Sequence, residues 1–485
     1  MPLSTKITDL SELKHVLSKN DKAIEGVVDY INRFNIGHLC KPFESLKQKG
    51  FRVSETVLCL ILLHLTGLSV SSLVKSDLKD IAGSAKDNYY RLKNNPLIDW
   101  RKLQLFFCKR FVALIQDFTE SSDHLTPKCF IVDDTTIKKT GRTIEFIGRV
   151  FDHVTKGSVL GFKLLVLGFW DGKSFLGLDS SLHREKGKNT KRPYGMTAKE
   201  RKSQYQKTRD AKSFGKKRAR ELDQSKVYCA IRMIKRAVKN GFDASYVLCD
   251  TWFMCAELII EVRQIKAGTM HVLGMCRMDK RQYLYNGHNF NGAELLCKLK
   301  EKHIKRARKV KAQYVEVVAD YKGNKVKLFF SRFHGSKKWH LLLTTDMSLS
   351  YLRALEIYQI RWSIEVFFKE CKQHLGMGKC QSTDFDAQIA ETTICMIAYL
   401  ILNLQKRTTN YETIGGIYHE SQRHLLELTL WERFWGLLIE LVSQIAEIFE
   451  IEVEDILKKI FTDNNTEGKI IRILNCLREE QKKIA

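Results

Sequence analysis

Tyr358-Gln-Ile-Arg361-Trp-Ser-Ile-Glu365-Val-Phe-Phe-Lys-Glu-Cys-Lys372 is the stretch that decides the fold. On a helix with Tyr358 at zero, Arg361 falls at about 300°, Glu365 at about 340° and Lys372 at about 320°. The four polar groups share one arc. Ile360, Ile364, Phe367, Phe368, Cys371 and Leu375 fall between about 180° and 280°, on the neighbouring face. One stripe can bury against a core while the other presents a carboxylate among two cations and a phenol. A carboxylate can hold a divalent metal, and Arg and Lys can grip phosphates. An ordinary amphipathic helix with a solvated charged face has the same pattern.

Two other segments deliver acids. Cys129-Phe-Ile-Val runs into Asp133-Asp134-Thr135-Thr136, and Tyr246-Val-Leu-Cys runs into Asp250-Thr-Trp-Phe253. Each reads as a short buried strand that ends in a carboxylate. Side chains alternate along a strand, so Asp133 and Asp134 face opposite ways. Strand-end aspartates also serve as helix caps and turn residues.

Together these segments resemble the insertion-sequence-4 family of bacterial DDE transposases. The spaced Tyr358, Arg361, Glu365 and Lys372 match its signature, and Trp362 follows the Arg. Asp134-Thr135-Thr136 matches its Asp-Thr-Thr motif, and Asp250 corresponds to its second aspartate. The resemblance covers roughly residues 125 to 400. It implies that Asp134, Asp250 and Glu365 are catalytic and hold two Mg²⁺ ions, for which Mn²⁺ can substitute. It also implies that Tyr358, Arg361, Lys372 and Trp362 contact DNA. Two metals suit in-line displacement at a phosphodiester, because they stabilise both the attacking and the leaving oxygen.

Three acids so far apart in sequence meet only in a layered α/β domain. Ile144–Val154 and Ser158–Gly168 are β-rich, and His271–Met275 gives a further strand. The expected core, residues 125–276 and 346–400, is ribonuclease-H-like, a mixed sheet flanked by helices. Residues 277–345 carry β-like runs at Tyr314–Val318, Val326–Phe333 and Trp339–Thr345, with turn signals between them. They predict a β-rich insertion domain. By resemblance, Trp339 stacks on a base flipped from the transposon end, although His340 is an extra residue relative to that strand. The same position suits a packing tryptophan.

Residues 1–124 read as a helical DNA-binding region. Ser69-Val-Ser-Ser-Leu with Asn88-Tyr-Tyr-Arg-Leu-Lys-Asn suggests a helix-turn-helix-like unit showing Tyr89, Tyr90, Arg91 and Lys93 to DNA, and a plain helical bundle fits the same residues. Residues 401–485 read as amphipathic helices suited to dimerisation.

There are 81 Lys and Arg against 55 Asp and Glu, a net charge of +26. Such a balance favours a polyanion through counterion release. The densest run lies between Lys186 and Arg220, where Arg192, Lys202, Lys216 and Arg218 are expected to track phosphates. The thirteen cysteines are scattered, without a Cys-x-x-Cys pair, and read as reduced core residues. The apolar runs Val57–Leu65 and Ile394–Leu404 are too short to span a bilayer, and no apolar signal region opens the chain.

The expectation is therefore a cytoplasmic bacterial transposase, nucleoid-associated when bound to DNA. It would cut DNA at terminal inverted repeats and join the 3′-hydroxyls to target DNA through a hairpin intermediate, as a homodimer on DNA and without a membrane. The competing classes are an inactive or domesticated DNA-binding protein and a stand-alone ribonuclease-H-like nuclease.

Overall fold

The computed structural model describes residues 27–47, 51–71, 86–116, 126–409 and 414–418. All belong to one compact unit. Most of the expected C-terminal amphipathic helices, and the chain between Ser71 and Lys86, lie outside these residues.

Among the described residues, four helices of eight residues or more lead, α1 (Val27–Phe34), α2 (Val53–Thr66), α3 (Lys86–Lys93) and α4 (Trp100–Ile115). Strands β1 (Cys129–Lys138), β2 (Gly148–Asp152), β3 (Gly157–Trp170) and β4 (Phe175–His183) follow. Next come α5 (Phe214–Glu221), α6 (Lys226–Lys239), β5 (Tyr246–Cys249), α7 (Ala256–Gln264) and β6 (His271–Cys276). The β-rich segment holds β7 (Gln282–Tyr285), β8 (His288–Asn291), α8 (Gly292–His303), β9 (Lys305–Ala307), β10 (Ala312–Tyr321), β11 (Asn324–Phe333) and β12 (His340–Thr344). The last described helices of eight residues or more are α9 (Tyr351–Gln359), α10 (Trp362–Gln373) and α11 (Phe385–Thr408).

The strands form a single mixed sheet in the order β2-β3-β1-β5-β6-β12-β11-β10-β7-β8, with β4 beside β3 and β9 beside β10. Strands β1, β5 and β6 run parallel, and β3 runs antiparallel to β1. A mixed sheet with flanking helices is compatible with a ribonuclease-H-like transposase domain. The β-rich segment extends that sheet, because β12 pairs with β6, Leu341 opposite Cys276 through Thr344 opposite Leu273.

Helix α11 is apolar around most of its surface and is buried from Phe385 to Gln405, apart from Glu391 and Thr392. By length and composition it could cross a membrane, but 94% of its most apolar window is buried inside the protein. It packs on α2, α4 and β4. His64 of α2 and Lys93 of α3 both pair with its Glu391, at 2.9 and 2.5 Å. Tyr89 and Lys93 are therefore core residues, and this corrects the expectation that they face DNA.

Candidate active site

Strand register brings the acids together. Val132 of β1 lies opposite Cys249 of β5 in a parallel pair, so the next step along both strands sets Asp133 beside Asp250. Paired residues of neighbouring strands project to the same face. Asp250 ends β5, where its Oδ1 accepts from the Trp252 and Phe253 amides at 2.9 and 3.2 Å. That turn fixes the carboxylate at the sheet edge. Gly274 of β6 lets the strands approach here, since a Cβ would lie 2.6 Å from the Cys249 carbonyl oxygen.

Arg361 ties Glu365 to the same place. Its Nη1 donates to Asp133 Oδ2 at 3.1 Å and its Nη2 to Glu365 Oε1 at 2.5 Å. Burial, followed by the negative charge of Asp250, pushes the Asp133 carboxyl up to about 7. Burial also lifts the Tyr358 phenol to about 12, with the Arg361 guanidinium 5.7 Å from its ring centre.

Asp134, the expected first carboxylate, makes different contacts from Asp133. Its Oδ1 accepts from Lys226 Nζ at 2.9 Å, and Lys163 Nζ lies 3.8 Å from its Oδ2. The physical reason is alternation, since Asp134 occupies the face of β1 opposite Asp133. Lys226 in turn sits 4.0 Å from the ring centre of Trp252.

The signature stretch also departs from a single helix. Helix α9 ends at Gln359 and α10 begins at Trp362. Between them Ile360, Arg361, Ser363 and Ile364 donate to carbonyls three residues back, a tighter winding than the α-helix. Tyr358 thus belongs to one helix and Glu365 and Lys372 to the next. Lys372 donates to Thr135 Oγ1 at 2.6 Å, and burial lowers its pKa.

Trp362 is 61% exposed beside Arg361. Trp339 precedes β12 and is half-buried, with the Arg332 guanidinium 5.1 Å from its ring centre. Because β12 runs antiparallel to β6, Trp339 sits at the sheet end that carries the acids. Arg192, Lys202 and Lys216 are exposed. Arg218 is not, being 8% exposed with Glu221 at 3.6 Å, so it is not available on the open surface as expected. Asp133 and Trp252 are further candidates that the sequence reading did not single out. The shared parallel register of β1 and β5 is the signal that identifies Asp133, and the Asp250 turn is the one that identifies Trp252.

A family model described as a transposase DDE domain matches residues 125–401. The chain belongs to this family. No curated protein matches it. The protein is thus a transposase by family, and the family implies a DNA substrate and typically a divalent metal.

The donor set here fits such a metal by its chemistry. Asp133, Asp250 and Glu365 offer only hard carboxylate oxygens, and the Asp133–Asp250 repulsion is what a cation would relieve. Among the described residues no three His, Cys, Asp or Glu side chains form a ready-made clasp. Arg361 supplies the positive charge between Asp133 and Glu365.

Proposed function

We propose that this transposase cuts DNA at element ends and joins the 3′-hydroxyls to target DNA, in the manner of the insertion-sequence-4 family. Asp133, Asp250 and Glu365 are the residues that would hold Mg²⁺. The observation that carries this is Arg361 donating to both Asp133 and Glu365, with the β1–β5 pairing ending one residue before Asp133 and Asp250. When bound, the ions stabilise the attacking and leaving oxygens of the phosphodiester.

The chain's own groups position the DNA. Arg361 keeps Glu365 directed at Asp133, and the Asp250 turn prevents that carboxylate from swinging away. Trp362, exposed at the start of α10, meets bases or sugars. Tyr358 and Lys372 line the same helical pair. Arg192, Lys202 and Lys216 take backbone phosphates along the basic segment. Trp339 stacks on a displaced base when the strand folds into a hairpin. Two protomers bring two ends together.

The test is cleavage and joining of a duplex carrying the element's end, with Mg²⁺ and Mn²⁺ titrated. Asp133→Asn, Asp250→Asn and Glu365→Gln should each abolish cleavage and retain end binding. Binding without cleavage in the unaltered protein would favour a DNA-binding protein. Cleavage without end selectivity would favour a general nuclease.

A further inference from the structure

A second basic site lies on the other face of the sheet. The pairings Asp134–Leu165 and Leu165–Ser181 put Asp134, Ser181 and therefore Asp179 on one face, opposite Asp133. Asp179 accepts from Arg101 Nε at 2.5 Å and from Arg236 Nη2 at 2.7 Å. Around these groups a 380 Å³ cleft opens between the start of α4, helix α5 and the middle of α6.

Six cations line the cleft, Arg101, Lys217, Arg218, Arg220, Arg232 and Arg236. Its acids are partly engaged, Asp386 through its Oδ2 only, its buried Oδ1 having no partner. Asp99 caps α4 by accepting from the Lys102 amide, Glu221 is held by Arg101, and Asp386 is held by Lys207 and Arg209. Among the described residues no carboxylate pairs with Lys217, Arg220 or Arg232, which are all exposed.

Arg218 lies beneath them. It is 8% exposed, and its Glu221 partner stands at 3.6 Å, beyond hydrogen-bond reach. Burial, then the like charge of Arg101, depresses its pKa to about 10. A buried guanidinium so poorly compensated gains from an anion. The Trp100 indole N–H, also at the cleft wall, is buried without a hydrogen-bond partner. Phe214 at the rim is 37% exposed, with Lys217 Nζ 4.8 Å from its ring centre.

We propose that this cleft seats a backbone phosphate of DNA, on a segment lying across α5 and α6 and away from the end engaged at the carboxylates. The inference rests on DNA being the partner of the protein. Fixed guanidinium groups match the oxygens of a phosphate, and the aromatic rim suits the adjoining nucleotide.

The experiment uses the full chain, and the variants change only exposed residues. Binding of a 40-base-pair duplex is followed against salt for the unaltered protein, for Arg220→Ala/Arg232→Ala, and for the control Lys173→Ala/Lys239→Ala. The control removes two exposed cations outside the cleft. The cleft variant should lower the log–log salt slope by about one, since the single lost phosphate contact removes about 0.9. The control should move it by less than half as much. Inorganic phosphate, titrated by calorimetry, should bind the unaltered protein and not the cleft variant. Equal slopes for the two double variants, or equal phosphate binding, would overturn the assignment. Poly-glutamate displacing the duplex from the unaltered protein as readily as single-stranded DNA does would assign the cleft to an acidic protein instead. An unaltered protein whose binding ignores salt would overturn both this proposal and the DNA reading beneath it.

Discussion

Replacing Asp133 by Asn removes one buried negative charge and leaves the side chain's shape almost unchanged. In the folded protein the Asp133 carboxyl titrates at about 7, against an ordinary value of 3.8. Folding therefore holds its proton through a range where the unfolded chain has released it. Stability must fall as the pH rises from about 4 to about 7, and the loss is complete above that range. At 1.36 kcal/mol per pH unit the cost reaches about 4 kcal/mol, for a side chain that is 15% exposed. Asn avoids this cost but weakens the charged hydrogen bond from Arg361, worth about 1.5–3 kcal/mol. At pH 8, with metal chelated, Asp133→Asn should thus be more stable than the unaltered protein by about 1–3 kcal/mol. At pH 4 the gain should vanish or reverse. Asp134→Asn should behave oppositely. It strips Lys226 and Lys163 of their counter-charge and should cost about 3–5 kcal/mol at pH 8. Urea unfolding at both pH values measures the stabilities, and cleavage of an end-bearing duplex measures activity. Asp133→Asn should be stable and inactive, and Asp134→Asn should be less stable but active in its folded fraction. An Asp133→Asn protein that cleaves, or that is less stable than the unaltered protein at pH 8, would refute the register on which the site is built.

Trp339→Ala should impair hairpin formation on an intact end, because stacking on a displaced base contributes about 1–3 kcal/mol. The defect should be small on an end already lacking that base, and equal defects on both substrates would make Trp339 a packing residue. Gly274→Ala should cost about 1–3 kcal/mol, since its Cβ would meet the Cys249 carbonyl oxygen at 2.6 Å and Met254 Cε at 2.5 Å. It should reduce cleavage more than DNA binding, because the displaced strand end carries Asp250, and gel-shift and cleavage assays separate the two. Burial alone would lower the pKa of His64, but Glu391 overrides it and raises the imidazole to about 9. Its stabilisation is complete below about 6.5 and is lost as the pH rises through 9. Denaturation of the unaltered protein should show this slope, and His64→Gln should remove it.

The strands that deliver acids were legible because apolar runs ending in Asp have few other uses. Which of Asp133 and Asp134 joins Asp250 was not legible. Alternation says that neighbours face apart, but only the contact of Arg361 with both Asp133 and Glu365 says which one faces α10. The break at Ile360–Arg361 was hidden because no Pro or Gly marks it, and a continuous 100° count placed Tyr358 with Glu365 for the wrong reason. Strands β10, β11 and β12 were legible from composition, whereas the short β7, β8 and β9 were not. Continuity with the core was not legible either, because it depends on the long-range pair β12–β6. Strand β4 was missed, since its Gly-Leu-Asp-Ser-Ser run lacks alternation, although all nine positions are buried. In the basic segment, sequence gives cations without their partners. Arg218 has Glu221 three residues on, whereas Arg209 finds Glu145, Asp384 and Asp386 from distant elements.

Helix α11 also governs when the protein can fold on the ribosome. Helices α2 and α4 rest their apolar faces on it, yet it is completed only at Thr408, long after Ile115 has been made. At bacterial or eukaryotic synthesis speeds of about 5–20 residues per second, the leading helices wait roughly 15–60 s for their partner. During that interval the faces of α2 and α4, which carry the buried Val57, Leu60, Ile61, Phe107 and Phe111, lack the cover that α11 supplies. The nascent chain is then a natural client for holding chaperones. Halting synthesis before Thr408 should release a product that is degraded and never reaches DNA.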